Sequence, residues 1–154
     1  MKGQEEYCKK YRMPERKLKR GLGVDDDTGG LRIIREALQN FLGCEVDTSP
    51  KPEYGFELAL RKSYDLMVFD FSMPMIDGTL LFQLISMVYE NSTPARIVPP
   101  LLLVSGQGAD ERAQELLKEA RVRGFLAKPF TINRLLEKVK ECLPDLASAE
   151  TPVR

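Results

Sequence analysis

The chain has 154 residues, 43% of them hydrophobic, which is enough to bury a proper core and fits one domain by size. Its 23 basic and 23 acidic residues cancel, arguing against nucleic-acid binding driven by bulk charge, and with no histidine it cannot use imidazole-dependent nucleophilic catalysis. Its three scattered cysteines give neither a zinc spacing nor a disulfide framework and fit a reducing, cytoplasmic setting, while no apolar run approaches the roughly 20 residues that cross a bilayer.

The balance of charge hides an asymmetry. Residues 1–20 hold eight Lys/Arg against three Glu and read as a flexible basic arm, so the remainder of the chain is acidic. A short strand, Leu22 to Val24, leads into Asp25-Asp26-Asp27. Leu31, Ile34, Leu38, Phe41 and Leu42 then recur at helical spacing up to Gly43. Cys44 to Thr48 reads as a second strand and Tyr54 to Lys62 as a second helix. Leu66 to Asp70 is a third strand, apolar in four of five positions and therefore covered on both faces, with Asp70 emerging at its carboxyl end. Pro74 and Asp77-Gly78 turn the chain into a third helix, Leu80 to Tyr89. After a proline-rich connection, Leu101 to Val104 is a fourth strand ending on Ser105-Gly106. A helix from Asp110 to Arg121, a fifth strand from Gly124 to Ala127 and a closing helix from Ile132 to Leu143 complete the cycle, and residues 144–154 read as a disordered tail.

Strands alternating with helices imply an α/β fold: a parallel sheet with right-handed crossovers and helices on both faces. In such a sheet the carboxyl ends of the strands share one edge, where ligand crevices form. That edge collects Asp25 and Asp26, Asp70, Ser105 and Lys128. Taken singly, a triple Asp reads as a solvated loop or helix cap and a Ser-Gly as a turn. Together, three carboxylates would repel one another without a cation, and oxygen-only ligation with room for water suits Mg²⁺. Lys128 supplies a point charge for a phosphoryl oxygen and Ser105 a hydroxyl donor, so the set fits an aspartyl phosphate. Any phosphohistidine in the chemistry must belong to a partner.

VDDD at Val24 to Asp27, DLMVFDFSMPMIDG at Asp65 to Gly78, LLLVSG at Leu101 to Gly106 and GFLAKPF at Gly124 to Phe130 resemble the response-regulator receiver domains of two-component signalling. The resemblance covers about Leu22 to Leu143, within a receiver domain bounded at 21–143. It implies a doubly wound, flavodoxin-like sheet in strand order 2-1-3-4-5, with Asp70 accepting phosphate from a sensor histidine kinase or phosphotransfer protein. It further implies Asp25, Asp26, Asp70 and the Ser72 backbone carbonyl as Mg²⁺ ligands. Ser105 matches the switch hydroxyl, Phe125 the switch aromatic, and Lys128 the family's lysine, followed by a cis bond to Pro129. The implied readout surface for a downstream effector protein is the face of the fourth helix, fifth strand and fifth helix, and Ser72 and Gln107 match positions that tune phosphate lifetime.

The chain departs from that pattern in places. Gly21 and Gly23 are expected to weaken the first strand, and Thr28-Gly29-Gly30 to loosen the first helix and with it the hold on Asp25 and Asp26. Gly106 stands where a small residue, often Ala, usually follows the switch hydroxyl. A receiver-like module that signals without phosphate remains an alternative. An Asp-nucleophile phosphatase or phosphotransferase is disfavoured because Ser72 stands where such enzymes commonly place a second acid. Nucleic-acid binding by the arm is disfavoured too, since only Tyr7 and Tyr11 interleave its charges and no helix-turn-helix follows.

Overall fold

A computed structural model describes residues 18–106 and 122–144. The arm through residue 17, Gln107, the helix expected from Asp110 to Arg121 and the tail from residue 145 lie outside the described residues. The elements are β1 (Arg20–Val24), α1 (Thr28–Glu36), β2 (Glu45–Ser49), α2 (Pro52–Arg61), β3 (Leu66–Asp70), α3 (Gly78–Asn91), β4 (Leu101–Ser105), β5 (Val122–Ala127) and α4 (Ile132–Cys142). All strand pairs are parallel and the order is β2-β1-β3-β4-β5, as the resemblance implied. No helix among the described residues is long and apolar enough to cross a membrane.

Two apolar layers sandwich the sheet, and β3 shows why. Its five residues are all buried, and the period of two sends Leu66 and Val68 to one side and Met67 and Phe69 to the other. Leu66 and Val68 meet Ile34 and Leu38 of the first helix and Leu135 and Val139 of α4, whereas Met67 and Phe69 meet Leu58 of α2 and Leu81, Ile85 and Tyr89 of α3. Burial of each such side chain contributes about 1.5–3 kcal/mol, so β3 holds the residue at its carboxyl end on a firmly anchored strand.

The glycines do not weaken β1 as expected. It is paired along its length with β2 and over four residues with β3, and Leu22 and Val24 are fully buried. It also starts at Arg20, within the stretch expected to form the arm. The Arg20 backbone N–H donates to Asp65 Oδ2 at 2.9 Å and its guanidinium pairs with Glu45 at 2.9 Å, fixing the residue to the sheet.

Nor does the Thr28-Gly29-Gly30 run loosen α1. Asp27 caps the helix by accepting from the Gly29 backbone N–H at 3.0 Å, and the helix begins at Thr28, three residues before the first periodic Leu31. The same helix widens into a π-helical turn over Ala37–Phe41 before Gly43, at φ +66°, ends it. Other boundaries shift by one or two residues: β2 runs to Ser49, α2 starts with Pro52 in its first turn, β4 includes Ser105 and β5 begins at Val122.

Candidate functional site

Asp70 closes β3 opposite Val104 of β4, with 5% of its surface exposed. The chain leaves it through Phe71, whose N–H donates to the Val104 carbonyl at 2.6 Å, and returns at Gly78, whose N–H donates to the Phe71 carbonyl at 3.0 Å. A Cβ on Gly78 would lie 2.3 Å from the Asp70 carbonyl oxygen, so only glycine lets α3 start this close to the strand end. Asp77 caps α3, accepting from the Leu80 N–H at 2.8 Å, and Met75 at the loop's crown is fully exposed with φ +74°.

Asp25 follows β1 on the same edge and is 1% exposed. Its backbone N–H donates to the Ser49 carbonyl at 3.2 Å, and its Oδ1 accepts from the Asp27 backbone N–H at 2.9 Å. The hold on Asp25 is therefore firm, contrary to the expectation from the neighbouring glycines. Asp26 is exposed beside it. One carboxylate oxygen from each of Asp25, Asp26 and Asp70 can be chosen so that all lie within 4.8 Å of one another.

Lys128 reaches this group from the loop after β5. Its Nζ lies 2.8 Å from Asp25 Oδ2, 3.7 Å from Asp70 Oδ1 and 4.0 Å from Asp27 Oδ2. The Lys128–Pro129 bond is cis, as the resemblance implied, and a second cis bond lies at Thr93–Pro94. The Lys128 backbone N–H donates to the Ser105 carbonyl at 2.7 Å, which ties the lysine to the buried serine at the end of β4.

One ammonium shared among three acids leaves the charges unbalanced. Burial, and then the Asp25 carboxylate, push Asp70 from its ordinary 3.8 up to about 7, with Lys128 pulling the other way. Burial alone would lower Lys128, but Asp25, Asp70 and Asp27 reverse that and hold its pKa above the usual lysine range. A cation fits the donor set. Asp25 Oδ2, for all its closeness to Lys128, accepts no well-directed hydrogen bond although it is buried, and hard oxygen donors with one exposed member leave room for water.

The structure thus brings Asp25, Asp26, Asp70 and Lys128 together, with Ser105 joined through the backbone. Ser72 lies exposed on the loop two residues past Asp70, and Phe125 is half-buried against the apolar layer of α2 and α3, outside the group of acids. Asp27, in an acidic run that reads as a solvated loop or helix cap, does cap α1, and it also lies 4.0 Å from Lys128, a proximity for which the sequence holds no signal.

The sequence profile of the response regulator receiver domain matches residues 22–140. The chain is 31% identical over 131 residues to the response regulator protein FleR of Pseudomonas aeruginosa, covering 82% of this chain and 25% of that protein. It is 30% identical over 132 residues to the transcriptional regulatory protein PrrA of Mycobacterium tuberculosis, covering 86% of this chain and 53% of that protein. The chain therefore spans only about a quarter to a half of these relatives' length. A crystal structure of a CheY-like receiver domain protein from Methanospirillum hungatei superposes with a TM-score of 0.70 at 27% identity, covering 86% of this chain and 99% of that one.

Proposed function

Because the chain belongs to the response regulator receiver domain family of two-component signalling, we propose that Asp70 accepts a phosphoryl group from the phosphohistidine of a sensor histidine kinase or phosphotransfer protein. The observation that carries this reading is a buried strand-end carboxylate with Lys128 Nζ at 3.7 Å and two further acids within cation-sharing distance.

A Mg²⁺ held by Asp25, Asp26, Asp70 and the Ser72 carbonyl would neutralise charge on the transferring group. The chain's own residues do the rest by position. Asp70 presents a carboxylate oxygen to phosphorus from a rigid strand. As the new O–P bond forms, the donor's N–P bond breaks, and the imidazole leaves with the partner and takes up a proton. Lys128 Nζ and the Ser105 hydroxyl meet the oxygens of the transferred group. Since the Lys128 backbone is bonded to Ser105, movement of either residue carries to β5, where Phe125 sits half-buried. The readout surface is then β5 and α4 with residues 110–121, and the effector is a protein, in a cytoplasmic setting.

Incubation with Mg²⁺ and acetyl phosphate, followed by intact mass and site mapping, tests the assignment. A phosphate-sized increase on Asp70 that Asp70→Asn abolishes is expected. An adduct that persists in the variant overturns the site. No adduct on the wild-type chain, with no Mg²⁺-dependent binding of beryllium fluoride, turns the reading to a phosphate-independent interaction module.

A further inference from the structure

A cavity of about 500 Å³ opens beside the acids, between the start of α1 and the loop after β5. Gly29 and Gly30 form one wall, Ile33 and Phe130 supply apolar surface, and the charged residues lining it among those described are Asp27 and Lys128. Asp27 differs from Asp25 and Asp26 in its circumstances. Its side chain is 59% exposed, one oxygen caps α1 through Gly29, and the other lies 4.0 Å from the ammonium that faces Asp70. Asp27 thus places an exposed negative charge in the cavity wall, beside the ammonium that faces Asp70.

We propose that Asp27 is a specificity-determining residue, one that disfavours small free phosphodonors in proportion to their negative charge. A protein-borne phosphohistidine gains contacts elsewhere on its partner and so overcomes a repulsion that a small dianion cannot. This rests on the reading of Asp70 as phosphoacceptor. Two physical effects carry it. Removing one like charge within several ångströms of an approaching dianion raises the encounter rate, on the order of fivefold at low ionic strength, and salt screens the gain. The effect scales with the donor's charge, whereas a simple relaxation of Lys128 would change all donors alike.

The test compares phosphorylation rates of the full chain, Asp27→Asn and Asp27→Ser with Mg²⁺ and two small donors: acetyl phosphate, a dianion at neutral pH, and phosphoramidate, which carries about one net negative charge. Both replacements keep a side chain able to cap α1, so the melting temperature reports whether the fold is intact. The expected result is an approximately fivefold gain with acetyl phosphate, a gain of about half that or less with phosphoramidate, and loss of the difference at high salt. Equal changes with both donors, or no change in folded variants, overturn the role of Asp27 while leaving Asp70 as acceptor. Failure of the wild-type chain and of both variants to take phosphate from either donor overturns both.

Discussion

At the edge where the strands begin, several charges meet partners. Arg20 pairs with Glu45 at 2.9 Å, Lys62 with Asp47 at 3.1 Å, and the Tyr64 hydroxyl donates to the same Asp47 oxygen at 2.7 Å. Arg96 goes further, donating to the carbonyls of Ala59, Leu60 and Lys62 and to the Tyr89 hydroxyl while lying 3.9 Å over the Tyr89 ring. At the edge where the strands end, three acids surround one lysine and a buried carboxylate oxygen lacks a directed hydrogen bond. Asp47, despite the opposing effect of its partial burial, is lowered by Tyr64 and Lys62, whereas Asp70 is raised to about 7. The same residue type is settled at one edge and held in tension at the other, and the tension is what a cation or a phosphoryl group can relieve.

Neutralising Asp70 should separate the two edges most sharply. Asp70→Asn is expected to lose all phosphate acceptance, yet to raise metal-free stability at neutral pH by about 1–3 kcal/mol in chemical denaturation, since it removes a buried like charge. The pH dependence follows the same logic. With its folded pKa at about 7 against an ordinary 3.8, Asp70 holds a proton in the folded chain that the unfolded chain releases. Its contribution to stability is therefore full below about pH 4 and falls as pH rises to about 7. In chelator, the wild-type melting temperature should decline across that window and Asp70→Asn should flatten it.

Lys128→Ala should cut the phosphorylation rate at least about tenfold while the chain stays folded, measured by intact mass beside circular dichroism. At the other edge, Arg96→Ala should leave phosphorylation intact and cost about 2 kcal/mol, because it removes hydrogen bonds to three carbonyls and the Tyr89 hydroxyl together with the contact over the Tyr89 ring. If the phosphorylation rate fell in Arg96→Ala, the two edges would not be independent. The smallest effect belongs to Glu45→Gln, under about 0.5 kcal/mol, since its pair with Arg20 is solvent-screened.

The gathering of the candidate site residues at one edge was readable in the sequence because each follows an apolar strand, and strand ends in a parallel sheet must share an edge. Asp70, Ser105 and Lys128 needed only the count of strands to be placed on it. The Arg96 clamp had no such signal. Its partners are backbone oxygens 34–37 residues earlier, which any residue type supplies, so Arg96 read as part of a connection. The hold on β1 was misjudged for a related reason: two glycines lower intrinsic strand preference, but pairing on both sides and the burial of Leu22 and Val24 override it. The widened turn over Ala37–Phe41 likewise leaves no mark in the apolar pattern, although Phe41, one of the periodic residues, is 56% exposed in it.

The loop from Phe71 to Asp77 has one consequence for how such a chain can vary. Position 78 is closed, since any side chain there would overlap the Asp70 carbonyl, whereas position 75 points wholly into solvent. A mutational scan should find the first intolerant and the second permissive, three residues apart. Sequence can thus drift at the crown of the loop, over generations or in a designed library, while the geometry that mounts the buried Asp70 carboxylate stays as it is.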